Sequence, residues 1–166
     1  MKAAIFRGLG HIEVTEIPTP EPAPGEVLVR VHYCGICGSD LEAYQTGMYE
    51  SGLVIGHEFA GEVVAMGESV HNWQVGDRVT AANVVPCGEC PYCLEGRASL
   101  CQQMLCPGIT LDGGMAEYVR LPAAFLHHLP EGVSTRQGAL VEPLSIALHG
   151  VRSSALRPGD VTLVLG

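Results

Sequence analysis

Seven cysteines stand at positions 34, 37, 87, 90, 93, 101 and 106, and four of them form the run Cys87-x2-Cys90-x2-Cys93-x7-Cys101. Zinc takes four thiolates in a tetrahedron at about 2.3 Å each, and two-residue gaps let a tight loop wrap successive sulfurs around one ion. Gly88, Pro91 and Gly96 supply the turn chemistry for that loop. Free structural thiols, a redox centre and an iron–sulfur cluster are the competing readings. Four exposed free thiols would invite oxidation. The spacing favours a closed structural zinc site, which holds a lobe together and leaves no position open for chemistry. The odd cysteine count, with no secretion signal, argues against a disulfide framework.

A second set of candidates is scattered. Cys37 lies in the turn Gly35-Ile36-Cys37-Gly38, His57 and Glu58 follow Gly56, and Glu142 immediately precedes Pro143. Singly, each has an ordinary structural reading: a small buried thiol, a histidine in a turn, a carboxylate at the positive end of a helix. Together they offer one thiolate, one imidazole and one or two carboxylates. Three protein ligands with a vacant position make a catalytic zinc site. The sequence by itself does not bring them together in space.

Such residues need a scaffold. Lys2 to Phe6 and Ile12 to Ile17 read as short strands, and Pro18, Pro20, Pro22 and Pro24 make a stiff extended connector. Val27, Val29, Val31 and Tyr33 alternate on one face of a third strand, with His32 solvated on the other. Ser39-Asp40-Leu41-Glu42 has the Ser-x-x-Glu form of a capping box, so a short helix is expected to start there. Phe59 to Met66, the segment at Val79, and Ala116 to Leu121 read as further strands, and the cysteine loop fills 86–106. With 21 glycines and 11 prolines, many short strands joined by turns are expected. The fold class is mainly β with short helices, in a partly open β-barrel.

After about residue 134 the pattern changes. Thr135 to Leu140 reads as a helical turn, and Pro143 to Val151 as a helix with Pro143 at its first position. Val161 to Leu165 is an apolar run entered through Pro158-Gly159-Asp160 and followed by Gly166, the pattern of a first, doubly buried strand of a parallel sheet. The expected organisation is one domain over 1–154 with a metal lobe at 86–106, and a truncated dinucleotide-binding domain beginning over 155–166. The alternative pairs Val161 to Leu165 with the barrel edge.

The 166 residues are 47% hydrophobic and only 16% charged, which excludes global disorder. The net charge of −9 and the absence of any basic run argue against nucleic-acid binding. No apolar stretch approaches the ~18 residues needed to cross a bilayer, and the apolar run at the N-terminus is too short for a signal peptide. A cytoplasmic protein with no membrane partner is expected.

The chain resembles the zinc-dependent medium-chain alcohol dehydrogenases. Gly56-His57-Glu58-x2-Gly61-x5-Gly67-x2-Val70 matches that family's zinc signature at every fixed position. Cys37-Gly38-Ser39-Asp40, the four-cysteine run, Val75-Gly76-Asp77-Arg78-Val79 and Gly113-Gly114-Met115-Ala116-Glu117-Tyr118 also match, in order. The stretch Leu140-Val141-Glu142-Pro143-Leu144 is similar to the butanediol, sorbitol and related polyol branch, where a glutamate replaces a cysteine ligand.

The resemblance implies a GroES-like catalytic domain with two zinc ions per chain. Cys37, His57 and Glu142 would hold the catalytic zinc, Glu58 would be an exchangeable ligand, and Asp40 would orient His57. Cys87, Cys90, Cys93 and Cys101 would hold the structural zinc. Ser39 would bond the substrate oxygen, with helix capping as its ordinary role, and Gly166 would begin the glycine motif for the coenzyme. The implied activity is hydride transfer between a secondary alcohol or polyol and NAD or NADP. The full-length protein would be a homo-oligomer, dimer or tetramer, and this span alone would be inactive. One departure stands out: Glu42 occupies the place where many relatives carry a relay histidine. Cys34 reads as buried packing. The competing reading of the whole is a stand-alone zinc-binding module without redox activity.

Overall fold

The computed structural model describes residues 1–165. Two antiparallel sheets carry the fold. β1 (Lys2–Gly8) and β2 (His11–Glu16) form a hairpin. The larger sheet contains β3 (Glu26–Cys34), β4 (Phe59–Met66), β5 (Arg78–Ala81), β6 (Tyr118–Pro122) and β7 (Leu126–His128), in the order β6-β3-β4-β5-β7. The inward face of this sheet packs Val27, Val29, Phe59, Val63, Val79, Val119 and Leu121 into the main core. A second cluster of Phe6, Ala43, Tyr49 and Ile55 ties the hairpin to the helix α1 (Gly38–Thr46).

β4 sits in the middle and leads out of the His57-Glu58 turn. Its close pairing with β3 depends on Gly61: a Cβ there would meet the Arg30 carbonyl oxygen at 2.0 Å. The sequence alternation runs through Val31, past a register shift between Leu28 and Val29, and is lost at a second shift between Val31 and Tyr33. A bulge shifts side chains to the other face, so Tyr33 is exposed and does not join the valines.

Two helix starts differ from the sequence expectation. The N-cap of α1 is Cys37, whose backbone N–H donates to Asp40 Oδ2 at 2.9 Å. The reciprocal cap is therefore Cys37 with Asp40, two residues ahead of the Ser39–Glu42 pair, and Glu42 is exposed. α3 (Thr135–Gly138) begins at Thr135, as expected, with Ser134 as its N-cap in a capping box with Gln137. α4 (Val141–Ser153) starts two residues before Pro143, so the proline sits at the third helical position. It is tolerated there because the first-turn N–H groups have no intrahelical acceptor.

Val161 to Leu165 carries no strand pairing among the described residues and is exposed. A doubly buried strand needs neighbours on both sides, and none is present among the described residues. Gly166 lies outside the described residues. Among the described residues, no helix is long and apolar enough to cross a membrane.

Candidate metal centres

The four-cysteine run folds into a lobe whose secondary structure is set by the cysteines themselves. Cys90 caps the short helix α2 (Pro91–Leu94), with Pro91 at its first position. Cys93 lies within that turn, and Cys101 closes a 3-10 turn at Ala98–Leu100. A backbone bridge between Val85 and Leu105 closes the neck. One sulfur from each of the four cysteines lies within 4.8 Å of the others, with Cys90 and Cys93 at 3.5 Å and Cys87 and Cys93 at 3.9 Å. Backbone N–H groups of Cys87 and Gln103 point at Cys101 Sγ, at 3.2 and 3.4 Å, and that of Cys90 at Cys87 Sγ, at 3.4 Å.

Such donors favour thiolate over thiol. The N–H of Gln102 pulls the Cys90 thiol down, and that of Cys87 pulls Cys101 down. Cys93, desolvated among the other sulfurs, is pushed up. Between residues 86 and 106 Cys90 alone is buried. The lobe has no apolar core of its own, and its donor set fits a closed four-thiolate metal site.

The second group is assembled from two loops. Cys37 stands at the head of α1. His57 and Glu58 precede β4, and the two loops are tied by the Gly35 N–H donating to the Glu58 carbonyl at 2.7 Å. Gly56 holds a φ of +96° and is wedged so tightly that an added Cβ would meet Cys34 Sγ at 2.8 Å. Only glycine adopts that conformation in that space. One ligand atom each from Cys37, His57 and Glu58 lies within 4.8 Å of the others.

Glu142 stands beside this trio rather than within it. It is buried in the first turn of α4. Burial raises its carboxyl above the ordinary range, His57 draws it down and Glu58 pushes it up, so its charge is felt by both. Its Oε1 accepts a hydrogen bond from Asn83 Nδ2 at 2.5 Å.

Four buried polar atoms here have no hydrogen-bond partner among the described residues: Ser39 Oγ, Asp40 Oδ1, Tyr49 Oη and His57 Nδ1. Buried polar groups are almost always paired. An orphaned imidazole nitrogen and a thiol grouped with a carboxylate fit a transition-metal site in donor type and number. Asp40 spends Oδ2 on the Cys37 backbone, so it fixes the cysteine turn directly. Burial pushes the Cys34 thiol up to about 12, which keeps it protonated beside the group. Asn83 and Tyr49 had no motif to mark them in the sequence. Both are found only through the side chains that the fold sets beside them.

The model of the alcohol dehydrogenase GroES-like domain matches residues 23–131. The chain belongs to that family. Among curated relatives, this GroES-like chain is 41% identical to a sorbitol dehydrogenase of Halalkalibacterium halodurans over 171 residues, covering all of the chain and 50% of the relative. It is 40% identical to the crystal structure of the 2R,3R-butanediol dehydrogenase of Bacillus subtilis, with a TM-score of 0.86 over 96% of the chain and 49% of that structure. A Sinorhizobium meliloti 1021 structure assigned as a zinc-binding dehydrogenase and bound to NADP superimposes with a TM-score of 0.89 at 39% identity, over 95% of the chain and 46% of that structure. The chain thus spans about half the length of the relatives it matches, and its mainly β fold is the GroES-like one expected.

Proposed function

We propose that this chain is the metal-holding half of a zinc-dependent dehydrogenase that moves hydride between a secondary alcohol or polyol and NAD or NADP. The observation that carries the reading is the pair of donor groups of different kind: a closed set of four sulfurs, and a compact mixed set of Cys37, His57 and Glu58 with Glu142 beside it. A protein that needed metal only for its fold has no use for the second set. The relatives' names, sorbitol and butanediol dehydrogenase, point to a small vicinal or chain polyol as substrate.

Cys87, Cys90, Cys93 and Cys101 would hold the structural zinc. Cys37, His57 and Glu142 would hold the catalytic zinc, with Glu58 as an alternative carboxylate. A bound zinc supplies Lewis acidity at the substrate oxygen. The chain's own residues do the rest. Ser39 Oγ, buried and unpartnered among the described residues, is free to accept a hydrogen bond from the substrate hydroxyl and would hand on its own proton as it takes the substrate's. Asp40 fixes the Cys37 turn through the backbone. Glu42 is exposed on α1, and proton exit by solvent in place of a relay side chain is part of the same proposal. Residues 1–154 form the metal-holding domain, and 155–166 lead into the dinucleotide-binding part, where Gly166 would open the glycine turn. The intact protein would be a cytoplasmic homodimer or homotetramer.

The test is zinc content together with turnover. Two zinc ions per chain are expected, falling to one in Cys37→Ser and in Cys93→Ser. In the longer polypeptide, NAD(P)-dependent oxidation of a polyol panel should disappear in Cys37→Ser. A chain without zinc would sink the reading, and two zinc ions with no turnover of any alcohol would leave a metal-stabilised binding module.

A further inference from the structure

Asn83 sits two residues beyond β5 and four residues before Cys87, on the segment that leads into the metal lobe. Its side-chain amide reaches across to a different element and donates to Glu142 Oε1 at 2.5 Å. Glu142 is 7% exposed. A buried carboxylate that lacks a donor carries the full cost of desolvation. The other polar neighbour on that turn, Ser145, spends its hydroxyl on the Glu142 backbone carbonyl at 2.7 Å. Asn83 is therefore the donor that the carboxylate itself has, and Oε2 accepts no hydrogen bond among the described residues.

The chemistry of the donor matters. A lysine or arginine in this place would neutralise Glu142 and compete with a cation. A neutral amide fixes one oxygen and leaves the negative charge available. With Oε1 held, the carboxylate presents a single free oxygen, and it is held beside the Cys37–His57–Glu58 trio rather than collapsed into it.

We infer that Asn83 is a positioning residue for the metal centre, holding Glu142 by Oε1 and leaving Oε2, the oxygen with no donor among the described residues, as the one favoured for a metal. This rests on the reading of Glu142 as a metal ligand. It also makes the lobe segment and the second centre mechanically continuous, since the same short stretch of chain carries Asn83 and Cys87. Outer partners of this kind typically cost about 10–100-fold in metal affinity when removed.

The experiment titrates cobalt(II) into the chain with its four-cysteine lobe filled with zinc, reading affinity and the ligand-field absorption bands. Asn83→Ala should weaken cobalt binding about 10–100-fold and change the bands, because the freed carboxylate can turn or bind through both oxygens. Lobe zinc should stay as in the parent, and any fall in the melting midpoint should be recovered at least in part by Asn83→Gln. Asn83→Gln, which keeps the neutral amide, should recover part of the affinity. Parent affinity and bands in Asn83→Ala would overturn the proposal. So would a loss that comes with a lowered melting midpoint and that Asn83→Gln shares in full, since Asn83 would then be a fold residue. Glu142→Ala separates the two layers. If it binds cobalt like the parent, the reading of Glu142 as a ligand falls and this inference falls with it. If it weakens binding while Asn83→Ala does not, only the positioning role falls.

Discussion

Stripping metal from the four-cysteine lobe should unfold that lobe and leave the barrel standing. The lobe runs from 86 to 106 and contains one buried residue, Cys90, so no apolar core remains to order it once the sulfurs part. In small zinc domains the thiolate–metal interaction is worth on the order of 10–16 kcal/mol. If only about 3 kcal/mol of that opposes local opening, the open population stays below about 1%, because each 1.4 kcal/mol is a factor of ten. Arg97 is the sole lysine or arginine in the lobe and is exposed, resting on the Tyr92 ring at 5.4 Å and within 3.5 Å of Glu95. Trypsin should therefore cut the chelated chain after Arg97 about a hundredfold or more faster than the zinc-loaded chain. The products are residues 1–97 and 98–166. Arg30, Arg78 and Arg120 lie in strands of the larger sheet and serve as internal controls. Mass spectrometry of the digest reads all four sites at once. Equal resistance of Arg97 with and without chelator would refute the idea that metal orders the lobe. Simultaneous cutting at the three strand arginines would refute its independence from the barrel.

Three further outcomes are expected. Gly61→Ala drives a Cβ to 2.0 Å from the Arg30 carbonyl oxygen, so it should cost at least the ~1–3 kcal/mol of ordinary overpacking; an unchanged urea midpoint would show the β3–β4 spacing to be looser than described. Gly35→Ala drives a Cβ against Glu58 Oε2 and to 3.1 Å from Glu58 Cβ, so the carboxylate should swing away and the two loops part slightly, at a modest cost in stability. Zinc competition should then show weaker binding at the Cys37 centre, and unchanged binding would remove Glu58 from the ligand set. Burial raises the Cys106 thiol above its ordinary range, and only the thiolate is nucleophilic. Iodoacetamide at pH 8 should thus label Cys106 more slowly in the folded chain than in urea, with the folded rate still climbing at pH values where the unfolded thiol has saturated. Equal rates would contradict the buried environment.

Much of this was legible in the residues. The two-residue cysteine gaps and their turn glycines led to the grouping of four sulfurs that the fold displays, because a lobe of this kind is local and its geometry follows from spacing. β4 was readable from Phe59 to Met66 without error at either end. The starts of α1 and α4 were not. Cys37 caps α1 through its backbone and Asp40, and a cysteine at that position carries none of the usual capping signals. Pro143 suggested a first position and stands at the third, since the whole first turn tolerates a missing N–H. The apolar alternation that placed Tyr33 inward was broken by a bulge, which depends on the partner strand and not on β3 itself. Asn83 shows the same limit at the site. Its partner is 59 residues away, and nothing in the sequence around either residue announces the pair.

The two ligand sets differ most in how far apart along the chain they lie. The four sulfurs fall between residues 87 and 101, so a metal closes only short loops. On the proposed ligand set, the other centre draws on Cys37, His57 and Glu142, and it cannot exist until β3 and β4 have paired and α4 has packed back on β5. Non-local sheet pairings of this kind form late and slowly. During synthesis the lobe can capture zinc once Cys101 has left the ribosome, while the residues that become β6, β7 and α4 are still to come. The second centre would then be completed last, on a chain already folded.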